Sequence, residues 1–256
     1  MLMKVLLKLI LIVIVLNVTI VKGQTNHHYK LFDYAIDSNL RRIDVSALTA
    51  DGGMIVLTGN EYRGSLSATD YGFSLIRYDL NGTKLWNTFV SGFATGSVIF
   101  LRILELPDNG FAISGNTAFN GGGFIVKTDA SGTVVFVKSY GIQLYDCILD
   151  PSDNGFILTT NAGNTYSGII KTNSSGDLVW SDARNFTVDP DHYYMARRLS
   201  SGNYWAVGTA YDNPSISNGT GLIASYSSSG TLMWSKRYTG PEWTTDFREF
   251  TELADG

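Results

Sequence analysis

The stretch NSSGDLVW, residues 173–180, decides the fold because closely similar segments occur three more times in the chain. The other copies are DLNGTKLW (79–86), DASGTVVF (129–136) and SSSGTLMW (227–234). Each copy combines a polar turn, one glycine, a short apolar run and a large aromatic residue. The four glycines are spaced by 50, 44 and 54 residues. A period of this length predicts a repeat architecture.

Each part of this repeated segment has a predicted structural role. The first residue can accept hydrogen bonds from the backbone that follows it and so start a tight turn: Asp79, Asp129, Asn173 and Ser227. The glycine supplies the positive φ that closes a hairpin: Gly82, Gly132, Gly176 and Gly230. The aromatic residue four positions later is expected to pack between neighbouring sheets, in the same place in every repeat: Trp86, Phe136, Trp180 and Trp234.

Each repeat contains four short strand patterns. In the second repeat these are VIFLRILEL, FAISG, GFIVKTD and TVVFVKSY, separated by turns rich in Asp, Asn, Ser and Gly. Four antiparallel strands in about 40–50 residues are typical of a β-propeller blade, whereas a sandwich needs no tandem repeat and solenoid coils are shorter. The sequence therefore predicts an all-β propeller with about four full blades, near residues 41–92, 98–141, 144–187 and 193–240.

The two ends of the repeat region look incomplete. The stretch HHYKLFDYAI before the first repeat is expected to be a stray outer strand, and TDFREFTEL after the fourth a stray inner strand. Residues 243–256 are therefore expected to start a fifth blade, in an incomplete and truncated ring.

The composition limits the classes of partner. Charged residues make up 16% of the 256 residues, the net charge is −4 and the pI is about 5.3, so nothing favours a nucleic-acid partner. Cys147 is the only cysteine, which excludes an internal disulfide and a thiolate zinc cluster, and we expect a buried, inert thiol there.

The N-terminus predicts export. Lys4 and Lys8 flank an apolar stretch that ends near Val21, and the polar stretch QTNHHYK follows. We expect a signal peptide over residues 1–23, cleaved before Gln24, and a propeller segment over 24–256 with no membrane span. An uncleaved membrane anchor is the alternative. The expected location is secreted, extracellular or on the cell surface.

Local motifs assign no catalytic, cofactor-binding or metal-ligating residue. The stretch GGGFIVKT (121–128) has Val126 where a phosphate-binding loop needs glycine. The stretch DPDH (189–192) is the densest group of possible metal ligands but is also ordinary turn chemistry. The stretch NHH (26–28) is expected to belong to a frayed terminus. No cofactor is therefore expected.

The long loops are the expected docking places for a ligand, because loops carry function on repetitive scaffolds. The longest are NEYRGSLSATDYG (60–72) and AYDNPSISNGTG (210–221). Tyr62, Arg63, Tyr211 and Asp212 are possible contacts there, and solvated loop residues are the alternative interpretation. The expected partner is an unknown protein or glycan ligand at the propeller face, although a purely structural linking domain fits the sequence equally well.

The second repeat, DNGFAISG…GGFIVKTDASGTVVFVKSYG, resembles the secreted and surface β-propeller repeat proteins with a DGG…LVKTDxxGxxxW pattern, within the quinoprotein-like propeller assemblage. This resemblance covers about residues 41–256. It implies an exported binding or scaffold module that is not an enzyme. The alternative is a fragment of a quinoprotein-like enzyme whose catalytic blades lie beyond residue 256. The fourth repeat departs from the pattern with SGNYWAVG and with Ser225 in place of Arg77, Lys127 and Lys171, which is expected of tolerant, exposed positions.

Overall fold

A computed structural model describes residues 43–62, 71–92, 98–117, 122–162, 166–187, 191–211, 219–239 and 245–254. All described regular elements are β-strands, and no helix among these residues could span a membrane. The predicted signal peptide (1–23), the NHH stretch (26–28) and most of the predicted stray outer strand lie outside the described residues. The division into a leader and a propeller segment therefore stays a prediction.

Within the described ranges sixteen strands form where β-branched and aromatic residues alternate with Gly, Asp, Asn and Ser turns. The first sheet contains β1 (Ile43–Leu48), β2 (Met54–Tyr62), β3 (Tyr71–Tyr78) and β4 (Lys84–Ser91). The second contains β5 (Val98–Glu105), β6 (Phe111–Thr117), β7 (Gly123–Thr128) and β8 (Val134–Ser139). The third contains β9 (Gln143–Leu149), β10 (Phe156–Ala162), β11 (Tyr166–Thr172) and β12 (Leu178–Arg184). The fourth contains β13 (His192–Arg198), β14 (Tyr204–Tyr211), β15 (Gly219–Tyr226) and β16 (Leu232–Tyr238).

The sheets are arranged as propeller blades. In each sheet the four strands pair antiparallel in chain order. The first strand of each sheet contacts the first strand of the next, so β1, β5, β9 and β13 are the innermost strands and β4, β8, β12 and β16 the outermost. Core clusters of buried side chains lie between neighbouring blades. These findings confirm the predicted all-β propeller, as an open arrangement of four blades rather than a closed ring.

The repeated turn has the predicted chemistry. Oδ1 of Asp129 accepts hydrogen bonds from the backbone N–H groups of Ser131 (2.9 Å) and Thr133 (2.8 Å), and Asp79, Asn173 and Ser227 occupy the same position in their own turns. The four turn glycines have φ between 76° and 83°, a region that side chains with a Cβ rarely adopt. The turn is therefore set by its acceptor and its glycine in every blade.

The glycine also receives the aromatic side chain of the preceding blade. A Cβ at Gly132 would lie 2.6 Å from Cε3 of Trp86, and a Cβ at Gly230 would lie 2.5 Å from Cδ2 of Trp180. Gly176 has the same relation to Phe136, with 3.1 Å to Cε2. Each aromatic side chain thus lies against bare backbone of the next blade, which only glycine leaves open.

Trp86, Phe136 and Trp180 also contact the hydrophobic core of the next blade. The ring centroids of Trp86 and Phe111 are 5.9 Å apart, those of Trp180 and Tyr204 are 5.4 Å apart, and Phe136 packs on the core cluster of the second and third blades. The prediction of equivalent surroundings is confirmed for these three.

The same prediction is wrong for Trp234. Its indole lies 5.3 Å from that of Trp205 in its own blade, and the Lys236 ammonium lies 5.6 Å from its centroid. Trp234 therefore packs within its own sheet.

Residues 245–254 run beside the fourth blade without forming a regular strand. The N–H of Thr245 donates to the carbonyl of Gly219 at 2.8 Å. Glu252 accepts from the N–H of Ser200 at 2.8 Å, as Glu105 of β5 accepts from the N–H of Ala50 at 2.7 Å. The segment thus lies where an innermost strand of a further blade would lie, although residues 245–254 do not form the regular strand that was predicted.

In three blades a carboxylate in the turn of the first hairpin pairs with a cation on the third strand. Lys171 Nζ lies 2.8 Å from Asp153, Arg77 binds Asp51 with 2.6 Å and 2.7 Å contacts, and Lys127 lies 3.0 Å from Asp108. The last glycine of the DGG or DNG turn lies against the backbone of the third strand, because a Cβ at Gly53, Gly110 or Gly155 would lie 2.0–2.3 Å from a carbonyl oxygen.

The fourth blade replaces both partners of this pair together, with Ser201 and Ser225. The expectation that the cation position is exposed is wrong, because Arg77 is 5% exposed, Lys171 3% and Ser225 1%. A buried cation without its carboxylate would be costly, which is a physical reason for losing both at once.

The substitution Gly132→Ala tests the packing of the aromatic side chain on glycine. It should lower the free energy of unfolding by about 1–2 kcal/mol through backbone strain and by a further ~1–3 kcal/mol through the clash with Trp86. Gly92→Ala is the matched control, since Gly92 has φ 95° and open space around its Cβ position. Equal losses in urea unfolding of the two variants would contradict the packing role.

The substitution Asp51→Asn tests how much the ionised carboxylate of Asp51 stabilises the fold. The test is the pH dependence of the free energy of unfolding. Hydrogen bonds from the Thr49 hydroxyl and the Gly53 N–H, with the Arg77 guanidinium, lower the pKa of Asp51 from 3.8 to about 2. A depressed pKa stabilises the fold above about pH 4, and this contribution is lost as the pH falls towards 2. The difference in free energy of unfolding between the wild type and the variant should therefore decrease as the pH falls from 4 to 2.

The control for this pH series is Ser201→Asn, which alters the equivalent turn of the fourth blade without removing a carboxylate. The difference in free energy of unfolding between Ser201→Asn and the wild type should not change between pH 4 and pH 2. If the difference in stability between Asp51→Asn and the wild type is equally constant in thermal unfolding, the ionised Asp51 carboxylate does not stabilise the fold.

Candidate functional site

A β-bulge recurs on the innermost strand of every blade. One residue is skipped in the pairing of each of these strands with its neighbour: Asp44 in β1, Leu101 in β5, Tyr145 in β9 and Tyr194 in β13. A bulge redirects the side chain of the extra residue and is common beside functional sites. The four skipped positions are equivalent by the repeat.

The third and fourth blades place aromatic residues at these bulges. The rings of Tyr145 and Tyr194 lie 5.7 Å apart with an interplanar angle of 80°. The His192 ring lies 5.4 Å from Tyr145 and 6.1 Å from Tyr194, and Tyr211 lies 6.0 Å from His192. These four half-buried side chains, from two innermost strands and the end of β14, form what we call the tyrosine–histidine cluster.

Burial favours the neutral forms of His192 and Tyr211 in the cluster. Burial lowers the pKa of His192, and the nearby Arg248 adds to this effect, while Asp191 opposes it. Burial and the neighbouring Tyr194 hydroxyl raise the pKa of Tyr211 to about 12. The Tyr145 hydroxyl and Nδ1 of His192 are 3.3 Å apart, and the tautomer of the imidazole decides which of them donates. The cluster thus offers neutral donors and acceptors beside aromatic surface.

Arg248 covers one face of Tyr194. The guanidinium carbon lies 3.9 Å from the centroid of the ring, a cation–π geometry. Asp246 accepts from Nη2 of Arg248 at 2.8 Å and from the Thr209 hydroxyl at 2.6 Å. The cation beside the cluster is therefore held in position and its charge is balanced.

Two further ion pairs each link an innermost strand to the element that follows it in the propeller. Arg102 of β5 binds Asp146 of β9 through Nε and through Nη2, the latter at 3.1 Å. Arg197 of β13 lies 3.5 Å from Glu249 of the 245–254 segment. Each cation is paired with a carboxylate of the following element, so neither ion pair adds net charge.

Of the four possible contacts expected from the sequence, Tyr211 lies in the cluster. The backbone of Tyr62 ends β2, and Arg63 and Asp212 lie outside the described residues. Tyr145 and Tyr194 were missed because a bulge leaves no mark in a single strand. Aligning the innermost strands, LYDC with YYMA, would have paired these two tyrosines at one repeat position.

The other motifs have ordinary structural positions. In DPDH, Asp191 is buried and binds the Thr187 hydroxyl at 2.8 Å, while His192 belongs to the cluster. Within the described part of the chain, no group of three His, Cys, Asp or Glu residues could hold a metal ion. The end of GGGFIVKT forms β7, and Cys147 is buried with a raised pKa caused mainly by burial.

No protein-family model matches this chain, and no curated protein is significantly similar to it. Several solved structures have a similar arrangement. The β-propeller domain of the Trilobed protease from Pyrococcus furiosus matches with 7% identity and a TM-score of 0.44, over 75% of this chain and 55% of that one. An exo-β-1,3-galactanase from Phanerochaete chrysosporium matches with 12% identity and a TM-score of 0.40, over 74% and 48%.

Prolyl oligopeptidase B from Galerina marginata matches with 13% identity and a TM-score of 0.43, over 77% of this chain and 27% of that one. The chain spans about half the length, or less, of these solved chains. These neighbours correct the prediction that the chain is not an enzyme. Two of them are enzymes, so a set of such blades does not indicate a non-enzymatic protein and that prediction was wrong. At these identities the likeness concerns the fold alone.

Proposed function

We propose that this chain is a ligand-binding propeller segment whose ligand docks on the tyrosine–histidine cluster. The observation that carries the proposal is the pair of bulges that bring Tyr145 and Tyr194 together beside His192. Partly exposed aromatic side chains with a few polar groups are the usual lining of a binding site. The proposal concerns binding, and a bound ligand could also be a substrate.

The repeat itself argues against a purely structural role for the two tyrosines. At the equivalent position of the second blade, Leu101 packs on the buried core between the second and third blades. Tyr145 and Tyr194 belong to none of the core clusters of the described residues and contact each other and His192 instead. In the third and fourth blades the bulge therefore places aromatic side chains that contact each other across the blade boundary.

The proposal includes export of the chain. A leader over residues 1–23, the low content of charged residues and the resemblance to secreted and surface repeat propellers of the quinoprotein-like assemblage support this part of it. The segment would then act outside the cell or at its surface, as a binding or scaffold module.

The ligand site can be tested with arrays of immobilised oligosaccharides and peptides. We expect the purified chain to bind at least one probe, and the double substitution Tyr145→Ala and Tyr194→Ala to weaken that binding about tenfold or more, since buried tyrosines often dominate an interface. The matched control is Tyr166→Ala, which removes a tyrosine of β11 that is 47% exposed. Binding that survives the double substitution, or no binding by the wild type, would reject the site.

Export can be tested by expressing residues 1–256 in an insect-cell secretion host and sequencing the N-terminus of the product in the medium. Cleavage of the leader should give a chain that starts at Gln24. The control carries Ile12→Arg and Ile14→Arg, which interrupt the apolar stretch and should keep the product inside the cell. A product that retains Met1 in the membrane fraction would favour the anchor instead.

A further inference from the structure

We infer that the ligand of the tyrosine–histidine cluster is an uncharged saccharide. This inference rests on the proposed function, because it names the chemical class that the same site would take. It follows from the shape of the aromatic surface, from the kind of polar groups beside it and from the balance of charge around it.

The aromatic surface has the shape of a corner. Tyr145 and Tyr194 meet at 80°, and the His192 ring lies within 6.1 Å of both. Neighbouring ring centroids in the cluster are 5.4–6.1 Å apart, so the four rings form one compact group. A pyranose has an apolar C–H face, which can lie on one aromatic ring while its edge contacts the other.

The polar groups match sugar hydroxyls. A hydroxyl both donates and accepts, and so do the tyrosine hydroxyls and the neutral imidazole of His192. The lowered pKa of His192 keeps this dual character at neutral pH. A site built only of cations or only of carboxylates could satisfy just half of the hydrogen-bonding capacity of a polyol.

The three cations of the innermost strands and of the 245–254 segment discussed above are already paired. Arg248 is bound by Asp246, Arg102 by Asp146 and Arg197 lies beside Glu249. A phosphorylated or sulfated ligand would have to compete with these carboxylates. A cationic ligand would have to displace the guanidinium of Arg248 from the face of Tyr194. An uncharged ligand meets neither obstacle.

A proline-rich peptide is the macromolecular alternative, because such peptides dock on aromatic surfaces. Those peptides are extended and need a groove lined by a series of rings along its length. The compact corner of Tyr145, Tyr194 and His192 suits a single sugar ring better, so we argue for the saccharide.

Isothermal titration of the purified chain with neutral oligosaccharides tests this inference. The probes are cellohexaose, chitohexaose, laminarihexaose, mannohexaose and β-1,4-galactohexaose, each at up to 10 mM. We expect at least one to bind, with an affinity that changes less than twofold between 50 and 500 mM NaCl because no ion pair is formed. Tyr194→Ala should weaken binding about tenfold, whereas Tyr194→Phe should weaken it only a few fold by keeping the ring.

Tyr166→Ala controls for nonspecific loss of a tyrosine, and Tyr194→Phe controls for folding. A sulfated oligosaccharide or a decaproline peptide that binds and is lost in Tyr194→Ala would overturn the saccharide inference and leave the proposed site intact. Neutral saccharide binding that Tyr145→Ala and Tyr194→Ala do not change would reject the site itself. Failure of all five saccharides to bind the folded chain would overturn the inference.

Discussion

The packing of one aromatic side chain of each blade on the turn glycine of the next blade is the contact on which the rest of the structure depends. Trp86 on Gly132, Phe136 on Gly176 and Trp180 on Gly230 join the four sheets in chain order. The glycine must have a positive φ for its own hairpin and must lack a Cβ for its neighbour. The same residue therefore determines both the blade and its orientation on the next one.

This contact determines where the innermost strands lie. Once neighbouring blades are packed, β9 and β13 lie side by side, and residues 245–254 lie along the fourth blade. The bulges on β9 and β13 then bring two tyrosines within 5.7 Å, although their positions are 49 residues apart in the chain. The candidate site therefore follows from the repeat, because equivalent bulges on two neighbouring blades carry tyrosines.

The fourth blade shows how far the repeat can change without losing the fold. It lacks the carboxylate–cation pair of the other blades, and its outer aromatic residue, Trp234, packs on Trp205 of its own sheet. Its paired strands and its glycine turn are retained. Hairpin geometry and buried apolar contacts therefore suffice to form a blade, and the ion pair is an addition to them.

The sequence by itself determined the all-β class, the four-stranded blades and the turn chemistry, because hairpins depend on local residues such as Asp129 and Gly132. Only the tertiary structure decided that Arg77 and Lys171 are buried, since burial depends on which other parts of the chain pack against these side chains. It also decided which side chains meet at the candidate site. Tyr145, Tyr194 and His192 lie on different strands, and a register shift that no single strand reveals brings them together.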